Sequence, residues 1–157
     1  MGEPLAERSG AEPLTLRVPY EEIGCGGPFH QYYYRDQPFS GVAYTLHQTG
    51  QVESEIEFRN GHPNGVTRVY TKAGVLREEN HCWSGIYHGR RRLWQEDGRP
   101  ELDEQWELGI CVARRRYVDG QMVEDYRLAR TDPAFRTLEV YRQIYGPRPD
   151  DSEADPT

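Results

Sequence analysis

Five histidines are the first residues in this sequence that could do chemistry: His30, His47, His62, His81 and His88. His81 and His88 flank Ser84-Gly85 symmetrically, so a tight turn there sets the two imidazoles opposite each other, a pairing that could hold zinc or copper. Strand alternation would send Cys82 to the other face, and no carboxylate is clearly positioned as a third ligand. The expectation is two half-exposed strand histidines and no metal. Cys25, Cys82 and Cys111 are odd in number and lack CxxC spacing, which excludes a zinc ribbon and a disulfide framework and makes buried free thiols the expectation. There is no Gly-x-Ser-x-Gly elbow, no P-loop and no Gly-rich strand-to-helix turn. No catalytic residue and no cofactor is expected, and the chain reads as a non-enzyme.

Arginine supplies the strongest charge feature. Arg90-Arg91-Arg92 and Arg114-Arg115-Arg116 are triplets 24 residues apart, and stacked in successive repeats they would form a basic stripe of the kind that binds nucleic acid or an acidic lipid headgroup. Turn arithmetic places acids across the hairpins: Glu79 opposite Arg68, Glu104 opposite Arg91, Asp103 opposite Arg92, Glu124 opposite Arg115 and Asp125 opposite Arg114. Each exposed pair is worth only about 0 to 1 kcal/mol, yet together they cancel the field that a polyanion needs. Nucleic acid is therefore not an expected partner, and membrane lipid is a minor alternative.

The element that must position these side chains is a repeat. Gly41, Gly65 and Gly89 are 24 residues apart, with Ala113 next in the series; Gly50, Gly74 and Gly98 follow nine residues later, and Gly61, Gly85 and Gly109 twenty later. Asn60-Gly61 and Asp97-Gly98 favour type I′ hairpins, and Thr49-Gly50, Ala73-Gly74 and Ser84-Gly85 carry glycine at the equivalent place. The fold expected is mainly β: an antiparallel β-meander of about four 24-residue hairpins over 17–127. Its first unit is worn, with Cys25-Gly26-Gly27 as its turn, and Asp119-Gly120 closes the last hairpin early.

The pattern G-x-x-x-x-Y-x-x-x-G-x-[VL]…[FW]-x-x-G, clearest in GVTRVYTKAGVLREENHCWSGIYHG and GRRRLWQEDGRPELDEQWELG, resembles the MORN-repeat variant, the unit of the YwqK-type antitoxin family. The likeness spans about two thirds of the chain. It implies an antitoxin or immunity protein that binds and occludes a cognate toxin, while MORN repeats elsewhere imply a scaffold or membrane-associated interaction module.

Tyr34, Phe58, Cys82 and Trp106 share one repeat position and face Phe39, Pro63, Tyr87 and Cys111, so these columns are the candidate core. Leu46, Tyr70 and Trp94 form a second column, either covered by a terminal element or exposed. Partner binding is assigned to Tyr44, Arg68, Tyr70, Arg92 and Trp94. Asp132-Pro133, then Phe135, Leu138, Tyr141 and Tyr145, then Gly146-Pro147, predict a capped amphipathic helix within 128–146, expected to seal the open edge of the last hairpin.

The chain has 157 residues, only 36% of them apolar, but 11% aromatic with eleven tyrosines, a balance suited to one β domain. Removing the seven acids and two arginines of the ends from totals of 26 and 19 leaves 19 acids and 17 bases over 13–147, a net of −2 against −7 for the whole. The acidity belongs mostly to tails at 1–16 and 147–157, expected to be disordered. No run approaches the roughly 18 apolar residues of a membrane span, and the N-terminus lacks the apolar stretch of a signal peptide. A soluble cytoplasmic protein is the expectation.

Overall fold

Two kinds of turn alternate from Gly50 to Gly109. Asn60-Gly61, Ser84-Gly85, Leu108-Gly109 and Asp119-Gly120 each hold two successive residues at positive φ, the type I′ geometry whose twist matches that of the flanking strands. At Gly50, Gly74 and Gly98 the loop is longer. Gly50 N–H donates to the His47 carbonyl and His47 N–H to the Gln51 carbonyl, and the same two bonds recur at Thr71 and Gln95. Asp97-Gly98 therefore does not form the expected type I′ turn: Gly98 alone of the two has positive φ, and Asp97 accepts the Arg99 N–H (3.0 Å) instead.

A computed structural model describes residues 14–28 and 30–146. Its strands are β1 (Arg17–Pro19), β2 (Gly24–Gly26), β3 (Gln31–Tyr34), β4 (Gln37–Pro38), β5 (Gly41–Leu46), β6 (Val52–Arg59), β7 (His62–Tyr70), β8 (Leu76–Trp83), β9 (Ile86–Trp94), β10 (Pro100–Glu107), β11 (Ile110–Val118) and β12 (Gln121–Arg127), followed by one helix, α1 (Pro133–Tyr145). From β5 to β12 each strand pairs with the next, an antiparallel meander, and β1 adds in parallel outside β5; β2, β3 and β4 form a separate small sheet. The fold is mainly β with a C-terminal helix, as the turn spacing requires.

The first unit departs from a plain hairpin. Gly24 pairs with Tyr33 and Gly26 with Gln31, so Cys25-Gly26 is strand rather than turn, and Cys25 is exposed instead of buried. The segment leaves the long sheet because its rings pack onto it: Tyr32 and Phe39 lie 5.0 and 5.4 Å from Phe58, centroid to centroid. Val18, Ile23, Phe39, Ala43 and Phe58 are the buried cluster, with Tyr20, Tyr34 and Ile56 around it. The sheet face that carries Ala43, Ile56 and Phe58 is called inner below, and its opposite outer. The aromatic column continues on the inner face through Tyr87 and Trp106, 5.1 Å apart, and opens there to solvent, with Tyr87 exposed.

Hairpins closed by type I′ turns carry a bulge. Glu57 faces Asn64, Gly65 and Val66, and one repeat later His81 faces His88, Gly89 and Arg90. Gly65 has φ 120°, and a Cβ there would strike the Glu57 carboxylate, which accepts the Val66 N–H at 3.1 Å. In the next repeat the bulge holds one extra residue, Val112, and Ala113 is not at positive φ. Alanine fits the third site because the backbone there no longer needs glycine.

Helix α1 starts as expected: the Asp132 side chain accepts the Ala134 N–H (2.8 Å), Pro133 takes the first turn and Gly146 ends it. Its C-terminal end reaches past the last hairpin. Tyr145 meets Trp83 (6.1 Å), and Arg142 forms a two-pronged ion pair with Glu107 (both bonds 2.6 Å), so α1 crosses the outer face over β8 and β10. Strand alternation puts Trp83 and Glu107 on that face. Leu138 is buried beneath it. Among the described residues, no helix is long and apolar enough to cross a membrane. The acidic tail at 147–157 and most of the N-terminal one lie outside the described residues; Leu16, assigned to the tail, holds the Val42 N–H with its carbonyl (2.8 Å).

Candidate functional site

The site begins from the register. Reading across the strands, Tyr44 faces Glu55, Glu55 faces Arg68, Arg68 faces Glu79, Glu79 faces Arg92, Arg92 faces Asp103, Asp103 faces Arg115 and Arg115 faces Asp125. Side chains directly across a sheet share a face. The outer face thus carries one transverse row in which acid and base alternate over seven strands, from β6 to β12. The arginine triplets of β9 and β11 do not stack as a basic stripe, because β10 lies between them with Asp103 and Glu104.

Each expected partner-binding residue lies in or beside this row. Tyr44 sits under the Arg17 guanidinium (5.0 Å), and Arg17 also pairs with Glu55 (2.5 Å). The Tyr70 hydroxyl donates to Glu55 (3.2 Å); burial and the neighbouring Glu55 charge push its ionisation above the usual tyrosine value. Arg68 donates to Glu79 (2.9 Å), and Arg92 reaches the other oxygen of the same carboxylate. Burial alone would raise the Glu79 pKa, but the hydrogen bonds from Arg92 and Arg68 outweigh it and hold the carboxyl below its usual range. Arg92 also lies over the Trp94 ring (5.1 Å). Tyr44, Arg68, Tyr70, Arg92 and Trp94 are all half-buried, and Leu46 beside them is exposed.

The inner face has a shorter, deeper counterpart. The Glu104 side chain is only 2% exposed and accepts from Arg91 Nη1 (3.1 Å), Arg114 Nε (2.5 Å) and Trp106 Nε1 (2.9 Å). Burial would raise its pKa, yet these three donors pull it below the ordinary carboxylate range. Arg91 further bonds Glu78 (3.2 Å) and lies over Tyr87 (5.5 Å).

Register corrects two expectations from turn arithmetic. Arg115 faces Asp125 and Arg116 faces Glu124, one residue from the expected pairs, because Val123 bulges out of β12. His81 and His88 are not a one-to-one pair, since His88, Gly89 and Arg90 together lie opposite His81. His88 is buried, and its Nδ1 accepts the Leu108 N–H (3.1 Å), a bond that Ser40 supplies to Asn60 two such turns earlier. Among the described residues no group of three or more His, Cys, Asp or Glu could hold a metal. Burial pushes the Cys82 and Cys111 thiols up, which disfavours the thiolate that a nucleophile or metal ligand requires.

Reasoning from turns found the arginines and, opposite them, Glu79, Asp103 and Glu104, but missed Glu55. The signal was present in the same period: Glu55, Glu79 and Asp103 are 24 residues apart, as are Arg68 and Arg92. Arg17, near the start of the described chain, could not be placed by repeat spacing. No protein-family model, no curated protein and no solved structure matches this chain.

Proposed function

We propose that this chain is a non-enzymatic, protein-binding repeat protein of the cytoplasm, and that, as the resemblance to the MORN-variant and YwqK-type antitoxins implies, it binds and occludes a cognate toxin. The observation that carries the reading is the outer face from β5 to β9, where Tyr44, Tyr70 and Trp94 stand among Arg68 and Arg92 with matched acids between them. Aromatic rings and arginine are the side chains that dominate protein interfaces. The alternating signs give geometric specificity without the continuous positive field that nucleic acid or a lipid surface needs. Inhibition by covering an active site requires no catalytic group on the inhibitor.

The test is capture with the tagged full chain from its native host, followed by calorimetric titration against the product of the neighbouring gene. One-to-one binding to a toxic protein, weakened about tenfold or more by Trp94→Ala, is the expected result. Recovery of lipids or structural proteins alone would overturn the antitoxin reading in favour of a MORN-type scaffold. Binding that Trp94→Ala and Tyr70→Ala leave untouched would move the interface off this face.

A further inference from the structure

β12 ends the long sheet, paired on one side with β11. The Leu128 N–H donates to Val112 (2.9 Å) and Tyr126 faces Arg114. Main-chain groups alternate in direction along an antiparallel strand, so those of Asp125 and Arg127 point away from β11, to the outside. Met122 and Val123 of this strand, and Val118 at the adjoining end of β11, are exposed, and the C-terminal end of α1 lies against Trp83 and Glu107.

The charge row gives the edge its selectivity. Inside the sheet, two acids of these rows take arginines from both neighbouring strands: Glu79 holds Arg68 and Arg92, and Glu104 holds Arg91 and Arg114, while Asp103 holds Arg90 of β9. At the edge, Asp125 meets Arg115 of β11 at 3.7 Å and keeps 45% of its side chain exposed. Glu124, next to it on the inner face, pairs with Arg114 and Arg116, again from β11. The outer row therefore ends on an acid, Asp125, and Glu124 beside it presents a second acid on the inner face, where the row through Glu104 and Arg114 ends on Tyr126. A strand continuing the sheet must bring adjacent basic residues, one to each face, as Arg91-Arg92 and Arg115-Arg116 do within the sheet. A second copy laid antiparallel by its own β12 would bring acids near acids, which is unfavourable.

We propose that the β12 edge is a docking site for an extended segment of a partner protein with two or three consecutive arginines or lysines flanked by apolar residues, added as a further antiparallel strand. This surface is separate from the outer-face aromatics and does not depend on them.

The probe is a labelled peptide of the β11 sequence Ile110–Val118 with Cys111→Ser, titrated onto the full chain by fluorescence anisotropy and mapped by amide NMR shifts. The expected result is saturable binding below about 1 mM, shifts centred on 121–127, and roughly tenfold or greater weakening when the three arginines of the peptide are replaced by glutamate. Arg127→Pro removes only an outward N–H, so β12 stays paired with β11 while binding is lost; Asp125→Asn, which leaves the backbone alone, weakens binding severalfold. Trp94→Ala leaves it unchanged, which separates this site from the outer face. The proposal is overturned if the peptide does not bind, if arginine and glutamate peptides bind alike, or if the shifts centre on Tyr70 and Trp94. It is also overturned if the chain self-associates in sedimentation and Arg127→Pro abolishes that association.

Discussion

Replacing Glu104 by glutamine keeps the shape of the side chain and removes its charge. In the native sheet this carboxylate takes three donors, Arg91 Nη1, Arg114 Nε and Trp106 Nε1. Glutamine offers one acceptor oxygen, and its amide group turns a donor toward a guanidinium. Breaking a buried pair by removing one partner costs about 3 to 5 kcal/mol, but Arg91 and Arg114 retain 23% and 37% exposure, so water re-solvates part of what is lost. The expected cost of Glu104→Gln is therefore about 2 to 3 kcal/mol at neutral pH, or roughly 6 to 10 °C in Tm for a domain of this size. Urea unfolding followed by tryptophan fluorescence measures it, and the pH dependence identifies the cause. The folded-state pKa of Glu104 lies below its unfolded value of about 4.3. Its contribution is thus fully present above that value and is lost as pH falls through the lower folded one. The gap between wild type and variant must narrow below about pH 4. A neutral-pH cost under about 1 kcal/mol, or a gap of constant size between neutral pH and the acid range, would refute the assignment of Glu104 as a charged anchor.

Further outcomes follow from the bulges, the turns and the small sheet. Gly65→Ala combines an unfavourable φ of 120° with a clash on the Glu57 carboxylate and should cost about 3 kcal/mol in urea unfolding, whereas Ala113→Gly should change stability by less than about 1 kcal/mol. His88→Leu orphans the Leu108 N–H and should cost about 1 to 3 kcal/mol; His88→Asn, which restores an acceptor, should recover part of it. The hydrogen bond with Tyr32, then burial, push the Tyr20 pKa up to about 12. Ultraviolet titration should show a tyrosine ionising there that Tyr32→Phe shifts down. Because this folded value exceeds the unfolded one of about 10, the associated stability is present below about pH 10 and fades as pH rises toward 12.

The parts legible in the sequence were those that depend on local backbone chemistry. A tight turn needs positive φ, glycine and asparagine tolerate it, and their 24-residue period therefore fixed the number and order of the hairpins from Gly41 onward. Strand alternation then placed Tyr44, Arg68, Tyr70, Arg92 and Trp94 on one face, and the Asp132-Pro133 start and Gly146 stop defined the helix. Tertiary structure decided what period alone cannot. Bulges at Gly65, Gly89 and Val123 shift the register by one or two residues, which set three β9 residues against His81 and moved Asp125 to Arg115. A bulge is a compromise between two strands and has no local signature beyond the glycine that permits it. The resting place of α1 across Trp83 and Glu107, the lifting of the first unit onto Phe58, and the sealing of Glu104 beneath two arginines and an indole depend on residues from separate repeats. Such contacts depend on which apolar and charged surfaces remain uncovered after the sheet has formed, a property of the assembled sheet rather than of any one segment.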